Sequence, residues 1–368
     1  MAHRLTFITS ALTIGGAERH WAILLPRLHE FGFEVRVLTL VGEGVFFDEL
    51  RSKGITVACA GLSRRTDIAG LRRALAFVQS GTDLLVSQNV NAQVVASFVA
   101  RKARVPHVTI DHTPPGVSFR RYQRVLVRAA VRNAEVVIGV SAGQIERFAA
   151  LGVRRERIVV IPNGVEELVP VRARDEVRHE LGIGDSDFVA LLVADLRPQK
   201  EAHVFVDAVT RARAGDSRIR GFIAGAGPEF ARVAAAADAS GGAVAMLGPR
   251  TDIPDLMNAA DVVCLTSASE GLPMVLLEAM SLGRPVVATA VDGVTDAVLP
   301  DETGLLVARG DALAFANALL TLVRDTQLRY ELGRRGRARH REKFTAARMA
   351  EEYAAVFERV LGSSGSSA

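Results

Sequence analysis

Residues 5–40 decide the fold and read LTFITSALTIGGAERHWAILLPRLHEFGFEVRVLTL. A short β-prone run opens this stretch, a loop with two glycines follows, and apolar side chains then recur at helical spacing as far as Phe31. Gly32 suits the end of a helix, and the apolar run that starts at Phe33 predicts a second strand. This order predicts a β-α-β unit, in which the two strands are parallel.

The same alternation continues along the chain in two series of strands. Further strands of the first series are predicted at 56–60, 84–87, 107–110, 136–140 and 158–161. Strands of the second series are predicted at 188–193, 221–224, 243–247, 262–265, 285–288 and 304–307. Strands that alternate with helices predict an α/β protein of two doubly wound, Rossmann-like domains. Ligands of such sheets bind beyond the carboxyl ends of the strands.

Proline, glycine and charged residues accumulate near 162–174, which predicts a domain boundary there. We predict a first domain over 1–168, a second domain over 169–344 and a helix over 345–361 that packs back on the first domain. The last residues, 362–368, read GSSGSSA and predict a flexible tail because they offer nothing to bury.

The composition indicates a soluble protein with a mildly basic charge. The chain has 368 residues and a formal net charge of +4, which suits anionic small molecules or an acidic membrane face. Nucleic acid is not expected, because three Tyr and one Trp offer few stacking surfaces. Cys59 and Cys264 lie in apolar, strand-like runs and are predicted to be buried thiols, without the spacing of a metal site. No apolar run reaches the roughly 18 residues of a spanning helix.

The most informative motif is SEGLPMVLLEAM at 269–280, directly after a predicted strand. Glu270 falls in the loop, and Pro273 suits the first turn of a helix because its missing N–H is not needed there. The backbone N–H groups of Met274 and Val275 then have no carbonyl partner inside the helix. Such a helix end favours phosphate or a polarised sugar hydroxyl.

A second glutamate, Glu278, lies about five residues further into the predicted helix, or roughly 8 Å along its axis. Its neighbours are Leu276, Leu277, Ala279 and Met280, so the carboxylate sits in an apolar helix. An acid in such a setting needs a partner, because an unpaired buried charge is costly. The pair of glutamates therefore predicts one contact to a sugar and one to the ribose of a nucleotide, although either alone also fits a solvated charge.

These residues resemble the retaining glycosyltransferases of family 4, which have the GT-B fold. The resemblance rests on two glutamates with seven residues between them and extends over nearly the whole chain. The other matching segments are GGAER at 15–19, PNGV at 162–165, LGPRTDI at 247–253, AADV at 259–262, GRPVVA at 283–288 and DG at 292–293.

The resemblance implies a GT-B fold in which two Rossmann-like domains face a central cleft. Residues 1–168 would carry the acceptor side and 169–344 would bind the nucleotide sugar. It implies catalytic contacts to the reacting sugar from Glu270 and from His112, at the end of a predicted strand, although a lone loop histidine is also compatible with a structural role. The implied donor-binding residues are Gly15, Gly16, Arg250, Asp252, Gly271, Leu272, Pro273, Met274, Val275 and Glu278.

One segment departs from the family pattern. The family often has Gly-Arg-Leu followed by a lysine, whereas this chain reads ADLRPQK at 194–200, with Asp195 at the usual arginine position. Lys200 is kept, and we predict that Arg197 supplies the missing cation. Together, Arg197 and Lys200 would hold the leaving diphosphate.

The activity that the resemblance implies is that of a hexosyltransferase of polysaccharide biosynthesis. It would use a UDP- or GDP-sugar, without metal or further cofactor, and a glycan or lipid-linked acceptor. We expect a cytoplasmic protein at or near the inner face of the membrane. Two alternatives stay open: a GT-B sugar-nucleotide epimerase, and a non-catalytic subunit that binds nucleotide or glycan.

Basic residues recur every four positions at Arg120, Arg124, Arg128 and Arg132, in a predicted helix that begins at Phe119. This spacing places them on one helix face and predicts peripheral contact with anionic lipid, with a solvated face as the alternative. A later run of arginines, over 334–343, is predicted to be a solvated helix. The motifs GAGPEF at 225–230 and DSD at 185–187 are too incomplete to indicate a dinucleotide or metal site.

Overall fold

The computed structural model describes residues 2–12, 15–64, 67–114 and 121–365. It divides into two compact units, Met1–Gly164 with Ala346–Ala368, and Val165–Thr345. The first unit ends at Gly164, where the sequence predicted 168. Val165 belongs to the second unit because it forms a parallel bridge with Thr345 and its N–H donates to the carbonyl of Phe344.

The first unit contains a parallel sheet of order β3-β2-β1-β4-β5-β6-β7. Its strands are β1 (Arg4–Thr9), β2 (Glu34–Thr39), β3 (Thr56–Cys59), β4 (Leu84–Gln88), β5 (His107–Asp111), β6 (Val136–Gly139) and β7 (Ile158–Val160). Its helices are α1 (Gly16–Leu28), α2 (Phe46–Ser52), α3 (Ile68–Gln79), α4 (Val90–Ala103), α5 (Arg121–Arg132) and α6 (Gln144–Ala150). Most central strands are buried on both faces, which explains their continuous apolar runs.

The second unit contains a parallel sheet of order β10-β9-β8-β11-β12-β13. Its strands are β8 (Phe188–Val193), β9 (Ile219–Ala224), β10 (Val244–Gly248), β11 (Val262–Leu265), β12 (Val286–Thr289) and β13 (Leu305–Val307). Its helices are α7 (Arg174–Glu180), α8 (Ala202–Gly215), α9 (Phe230–Asp238), α10 (Ile253–Ala259), α11 (Met274–Ser281), α12 (Val294–Ala297), α13 (Ala312–Arg324) and α14 (Thr326–Lys343). The predicted α/β class, with one doubly wound sheet in each half, is confirmed.

The last helix, α15 (Ala346–Gly365), completes the core of the first unit. Its Tyr353 and Phe357 are fully buried among the side chains of α1 and β1, with the Phe357 ring 6.1 Å from that of Phe7. The helix continues to Gly365, past the predicted end at 361, and the hydroxyl of Ser363 donates to the carbonyl of Val360. Residues 366–368 of the predicted tail lie outside the described part.

The two cysteines differ in environment. Cys264 lies inside β11 and is buried, and burial raises the pKa of its thiol. Cys59 is exposed, so the prediction of a buried thiol is wrong there. The reason is its position at the end of β3, which is the edge strand of its sheet. Among the helices of the described residues, none combines the length and apolarity needed to cross a membrane.

Candidate active site

The loops after β8 and β11 begin the candidate site of the second unit. These two strands are neighbours at the point where the strand order reverses, and open α/β sheets bind ligands at this switch point. The two loops are joined by hydrogen bonds. The N–H of Ala268 donates to the carbonyl of Gln199 at 2.7 Å, and the hydroxyl of Thr266 donates to the carbonyl of Lys200 at 3.0 Å.

Lys200 and Glu270 meet at this switch point. The ammonium of Lys200 donates to Oε1 of Glu270 at 2.6 Å, and the hydroxyl of Ser267 donates to the same oxygen at 2.6 Å. Both charged side chains are largely buried, with 20% and 12% exposed. An ammonium has three N–H donors, so the pair with Glu270 leaves Lys200 able to bind an anion as well.

Helix α11 begins directly after this loop. Pro273 is the residue before the first helical residue, Met274, rather than part of the first turn as predicted. The amides of Met274 and Val275 stand at the positive end of the helix dipole, where no helical carbonyl accepts from them. The helix start therefore presents N–H groups four residues after Glu270, the partner of Lys200.

The loop before α11 is packed against a second backbone segment. Gly293 has a φ of +78°, and a Cβ atom there would lie 2.0 Å from the carbonyl oxygen of Gly271. No side chain larger than hydrogen fits between them, which fixes the path of the loop. Leu272 is buried beside it. This close packing explains why glycine stands at position 293, in the DG segment that carries part of the family resemblance.

Glu278 lies one turn into α11. It follows Met274 by four residues, which places both on one helix face at about 6 Å along the axis. The side chain is buried, as its apolar neighbours predict. The spacing from the helix end to this carboxylate fits the distance from a phosphate group to a ribose.

The guanidinium of Arg197 is already paired with a carboxylate. Its Nε donates to Asp195 at 2.5 Å, so it pairs with the acid that stands at the family's arginine position. The side chain is 56% exposed. The backbone of Gly225 and Gly227 packs closely against the 194–196 segment. Cβ atoms at these two glycines would lie 1.9 Å and 2.6 Å from backbone carbonyl oxygens of that segment.

Arg250 and Asp252 follow β10, the edge strand of the second sheet. They form a two-bond ion pair at 2.7 Å and 2.6 Å, and the hydrogen bonds from Arg250 lower the pKa of Asp252. Arg172 and Glu180 join the same network. These side chains are thus occupied with one another in a single network of ion pairs.

In the first unit, His112 follows β5 in a braced loop. The side-chain amide of Gln144, from α6, donates to the carbonyls of Asp111 and Thr113 at 2.8 Å and 2.9 Å. Arg147 donates to the same Thr113 carbonyl at 2.9 Å and lies 3.2 Å from the buried carboxylate of Asp111. These bonds fix the backbone on both sides of His112.

Two further rings pack behind His112. The ring of His20, on α1, lies 4.7 Å from it edge-on, and the ring of Tyr353 lies 5.4 Å from His20. Burial lowers the pKa of His112 to about 4, opposed by the charge of Asp111. Burial, and secondly the proximity of His112, hold the pKa of His20 well below its usual value. Both imidazoles are therefore neutral at pH 7.

Gly15 and Gly16 stand at the start of α1. The carbonyl of Gly15 accepts from the N–H of Arg19 at 2.9 Å, which closes the first turn. A Cβ atom on Gly16 would meet nothing within 4 Å, so this side of the backbone is open.

Sequence reasoning missed Asn89, at the switch point between β1 and β4. Its φ is +63°, uncommon outside glycine, and it caps α4 by accepting from the N–H of Ala92 at 3.3 Å. It also accepts from the hydroxyl of Ser10 at 2.9 Å. An asparagine between a strand and a helix is a sequence signal for such a cap.

Helix α5 carries the predicted basic face. Arg124, Arg128 and Arg132 are exposed, and the neighbouring Val125 is 67% exposed. Arg120 and the predicted start at Phe119 lie outside the described residues. The exposed face thus combines cations with apolar side chains.

Two family models match consecutive parts of the chain. The model of glycosyltransferase family 4 matches residues 14–167, and the model of glycosyl transferases group 1 matches residues 173–339. Together they cover both units and the motifs from Gly15 to Gly293.

Named relatives point to the same family. N-acetyl-alpha-D-glucosaminyl L-malate synthase of Bacillus anthracis is 26% identical over 64% of this chain and 62% of its own length. An Escherichia coli UDP-Gal:alpha-D-GlcNAc-diphosphoundecaprenol alpha-1,3-galactosyltransferase is 26% identical over 76% of this chain and 77% of its own length. Against several other curated relatives the chain spans about half of their length, for example 47%.

A solved structure shares the fold. HepE of Anabaena, in complex with UDP and glucose, superposes with a TM-score of 0.88 at 23% identity, over 97% of this chain and 100% of that one. This likeness shows the two-domain α/β GT-B fold. With both family models matched in order along the sequence, the chain belongs to the group 1 glycosyltransferases of family 4.

Proposed function

We propose that this protein transfers a hexosyl group from a nucleotide-diphosphate sugar to a hydroxyl of a glycan or lipid-linked acceptor, with retention and without metal. The observation that carries the proposal is the Lys200–Glu270 pair at the switch point, beside the open amides of α11, with Glu278 one turn further. The cation and the amides match the diphosphate of such a donor, Glu270 matches its sugar, and the buried acid Glu278 matches its ribose.

In this proposal, the diphosphate binds the amides of Met274 and Val275 and the remaining N–H groups of Lys200. Glu278 accepts from the ribose hydroxyls, and the backbone of 250–252 contacts the base. Relatives support a uridine donor, because HepE was crystallised with UDP and the E. coli relative is named for UDP-Gal. Arg197 assists once the approach of phosphate competes with Asp195 for its guanidinium.

The chemistry follows from where charge develops. As the bond from the sugar C1 to the diphosphate oxygen breaks, negative charge grows on that oxygen, and preorganised N–H groups stabilise it. The acceptor oxygen bonds to C1 on the same face, which retains the configuration, and the proton of the acceptor hydroxyl passes to the departing diphosphate oxygen. Glu270 and His112 contact the transferred sugar, and neutral His112 serves as a hydrogen-bond partner rather than a charge.

A donor panel tests the proposal against its two alternatives. The protein is incubated with UDP-, GDP- and ADP-sugars, and nucleotide and sugar products are followed separately. Slow nucleotide release, accelerated by an acceptor, supports a transferase. An isomerised donor without release would mean an epimerase, and stabilisation without turnover would mean a binding subunit. The named transferases among the relatives do not favour these alternatives.

Stereochemistry and metal dependence have their own measurements. The anomeric coupling constant of the product, measured by NMR, reports retention or inversion directly. Activity after treatment with EDTA reports metal dependence, and the proposal expects the same rate before and after. An inverted product, or a rate that returns only with added divalent cation, would contradict these parts of the proposal.

We propose that the protein acts at the inner face of a membrane and that helix α5 contacts the lipid surface there. Its exposed arginines lie beside exposed Val125 and Leu126, the composition of an interfacial helix. Co-sedimentation with phosphatidylglycerol vesicles at low salt tests this contact. We expect binding that is lost in Arg124→Gln/Arg128→Gln, and no vesicle binding by the unaltered protein would exclude it.

A further inference from the structure

A cavity lined by arginines lies in the second unit, at the edge of the sheet opposite to the candidate site. It encloses about 650 Å³ between α14 and the residues that precede β11 and β12, namely Asp261 and Pro285. The candidate donor site uses the carboxyl ends of these strands, so the cavity is a separate place in the same unit. Its five arginines are Arg284, Arg329, Arg334, Arg337 and Arg341.

Two of these guanidinium groups have no carboxylate partner in the described part of the chain. Arg284 donates to the carbonyl of Ala260 at 3.3 Å and to the side chain of Asn258 at 2.7 Å. Its Nε is buried and has no hydrogen-bond partner among the described residues. Arg329 donates to the carbonyl of Leu322 at 3.1 Å and stacks over a phenylalanine ring.

The positive charge of Arg284 is poorly compensated. Burial, and secondly the charge of nearby Arg174, lower its pKa to about 10. Asp261, the acid whose charge opposes this lowering, is already paired with Arg174 at 2.7 Å and with Arg178 at 3.3 Å. A partly buried cation without its own counter-ion is unfavourable, and a bound anion would lower that cost.

The other three arginines form exchangeable ion pairs at the rim. Arg334 pairs with Glu331 at 2.8 Å, whereas Arg337 and Arg341 share Glu167. All three side chains are about half exposed, and such surface pairs contribute about 0–1 kcal/mol each. They can therefore turn towards a ligand at little cost.

We infer that this arginine cavity binds a small anion that carries two or more phosphate groups. Planar guanidinium forks bind phosphate oxygens in pairs, and a cluster of five exceeds what one phosphate needs. The volume lies in the range of small-molecule sites, about 300–1,000 Å³. Tyr330, 63% exposed, stands at the rim and offers a flat surface to the rest of the ligand. The phosphates belong either to a soluble metabolite or to a lipid headgroup.

Calorimetric titration with inorganic pyrophosphate, at constant ionic strength, tests the inference. The test variant is Arg334→Gln/Arg337→Gln/Arg341→Gln, which alters exposed residues only. The matched control, Arg211→Gln/Arg218→Gln/Arg232→Gln, removes the same charge from exposed, ion-paired arginines outside the cavity. We expect the test variant to bind pyrophosphate at least tenfold more weakly than the control and the unaltered protein.

A third variant separates this site from the donor site. Lys200→Met removes a cation of the donor site, and the inference expects it to keep the cavity's pyrophosphate binding. Loss of all pyrophosphate binding in Lys200→Met, or equal binding by the test and control variants, would overturn the inference.

Vesicles that contain cardiolipin, whose headgroup carries two phosphate groups, distinguish the sources when they are tested with the same two triple variants. Weaker vesicle binding by the test variant than by the control assigns the site to a headgroup, and unchanged vesicle binding with weaker pyrophosphate binding assigns it to a soluble ligand. Absence of binding to both probes by the unaltered protein would overturn the inference.

Discussion

Replacing Lys200 with methionine removes one charge from the centre of the proposed donor site and keeps the aliphatic stem. The ammonium lies 2.6 Å from Oε1 of Glu270, and only 20% of the lysine side chain is exposed. Glu270 keeps the hydroxyl of Ser267 as a partner, also at 2.6 Å. The variant therefore tests the role of the Lys200 ammonium while the Glu270 carboxylate keeps one hydrogen-bond donor.

Two magnitudes follow for Lys200→Met. A hydrogen bond to a charged group is worth about 1.5–3 kcal/mol, which predicts roughly 10- to 150-fold weaker binding of UDP. Loss of one group that stabilises charge in the transition state costs about 2.7–4 kcal/mol, or roughly 10²- to 10³-fold in kcat. Because charge on the leaving oxygen is greater in the transition state, we expect turnover to fall more than UDP affinity.

Calorimetry gives the UDP affinity, and nucleotide release with a saturating donor gives kcat. The matched control is Arg309→Met, which breaks the neighbouring ion pair with Glu201, 2.6 Å long but largely exposed on the arginine side. We expect the control to stay within a few-fold of the unaltered protein, with thermal unfolding checking that both variants are folded. Equal UDP binding and turnover in Lys200→Met, or an equal loss in the control, would refute the reasoning.

Three further outcomes follow from the structure. Arg197→Ala should weaken donor binding by about tenfold, as expected for one charge-assisted bond at a half-exposed position; an unchanged KM and kcat would show that Arg197 does not replace the family's arginine. Glu278→Gln should raise the donor KM by at least tenfold while leaving the fold intact, measured by initial rates and thermal unfolding; an unchanged KM would remove Glu278 from the ribose site. Stability should fall as the pH drops from about 6.5 towards 4, because burial lowers the pKa of His107 and of His112 to about 4 and the unfolded chain binds the protons first. His107→Gln should remove about 2 kcal/mol of that loss, read from urea unfolding at pH 7 and 4.5; equal pH dependence in the variant would contradict it.

Much of the site was accessible from sequence because its parts are local. The strand β11, the loop with Glu270 and the helix with Glu278 follow one another without interruption, so periodicity and helix-end chemistry predict them together. Lys200 required the family pattern, since nothing local says that the loop after β8 lies beside the loop after β11. Only the strand order brings these two loops together.

The remaining features depend on order and pairing between distant segments. Cys59 is exposed because β3 is an edge strand, and the residues of a strand do not by themselves predict whether it lies at the edge of its sheet. Arg197 pairs with Asp195 two residues away, a local contact that competes with the predicted role at phosphate. Asn89 carries a cap signal, but its place at a switch point follows from the sheet topology alone.

The position of UDP in a crystal of the complex tests the central claim most directly. The account predicts phosphate oxygens about 3 Å from the amides of Met274 and Val275 and from the ammonium of Lys200, with the ribose hydroxyls on Glu278. A nucleotide bound away from the start of α11, or a ribose that does not touch Glu278, would contradict it.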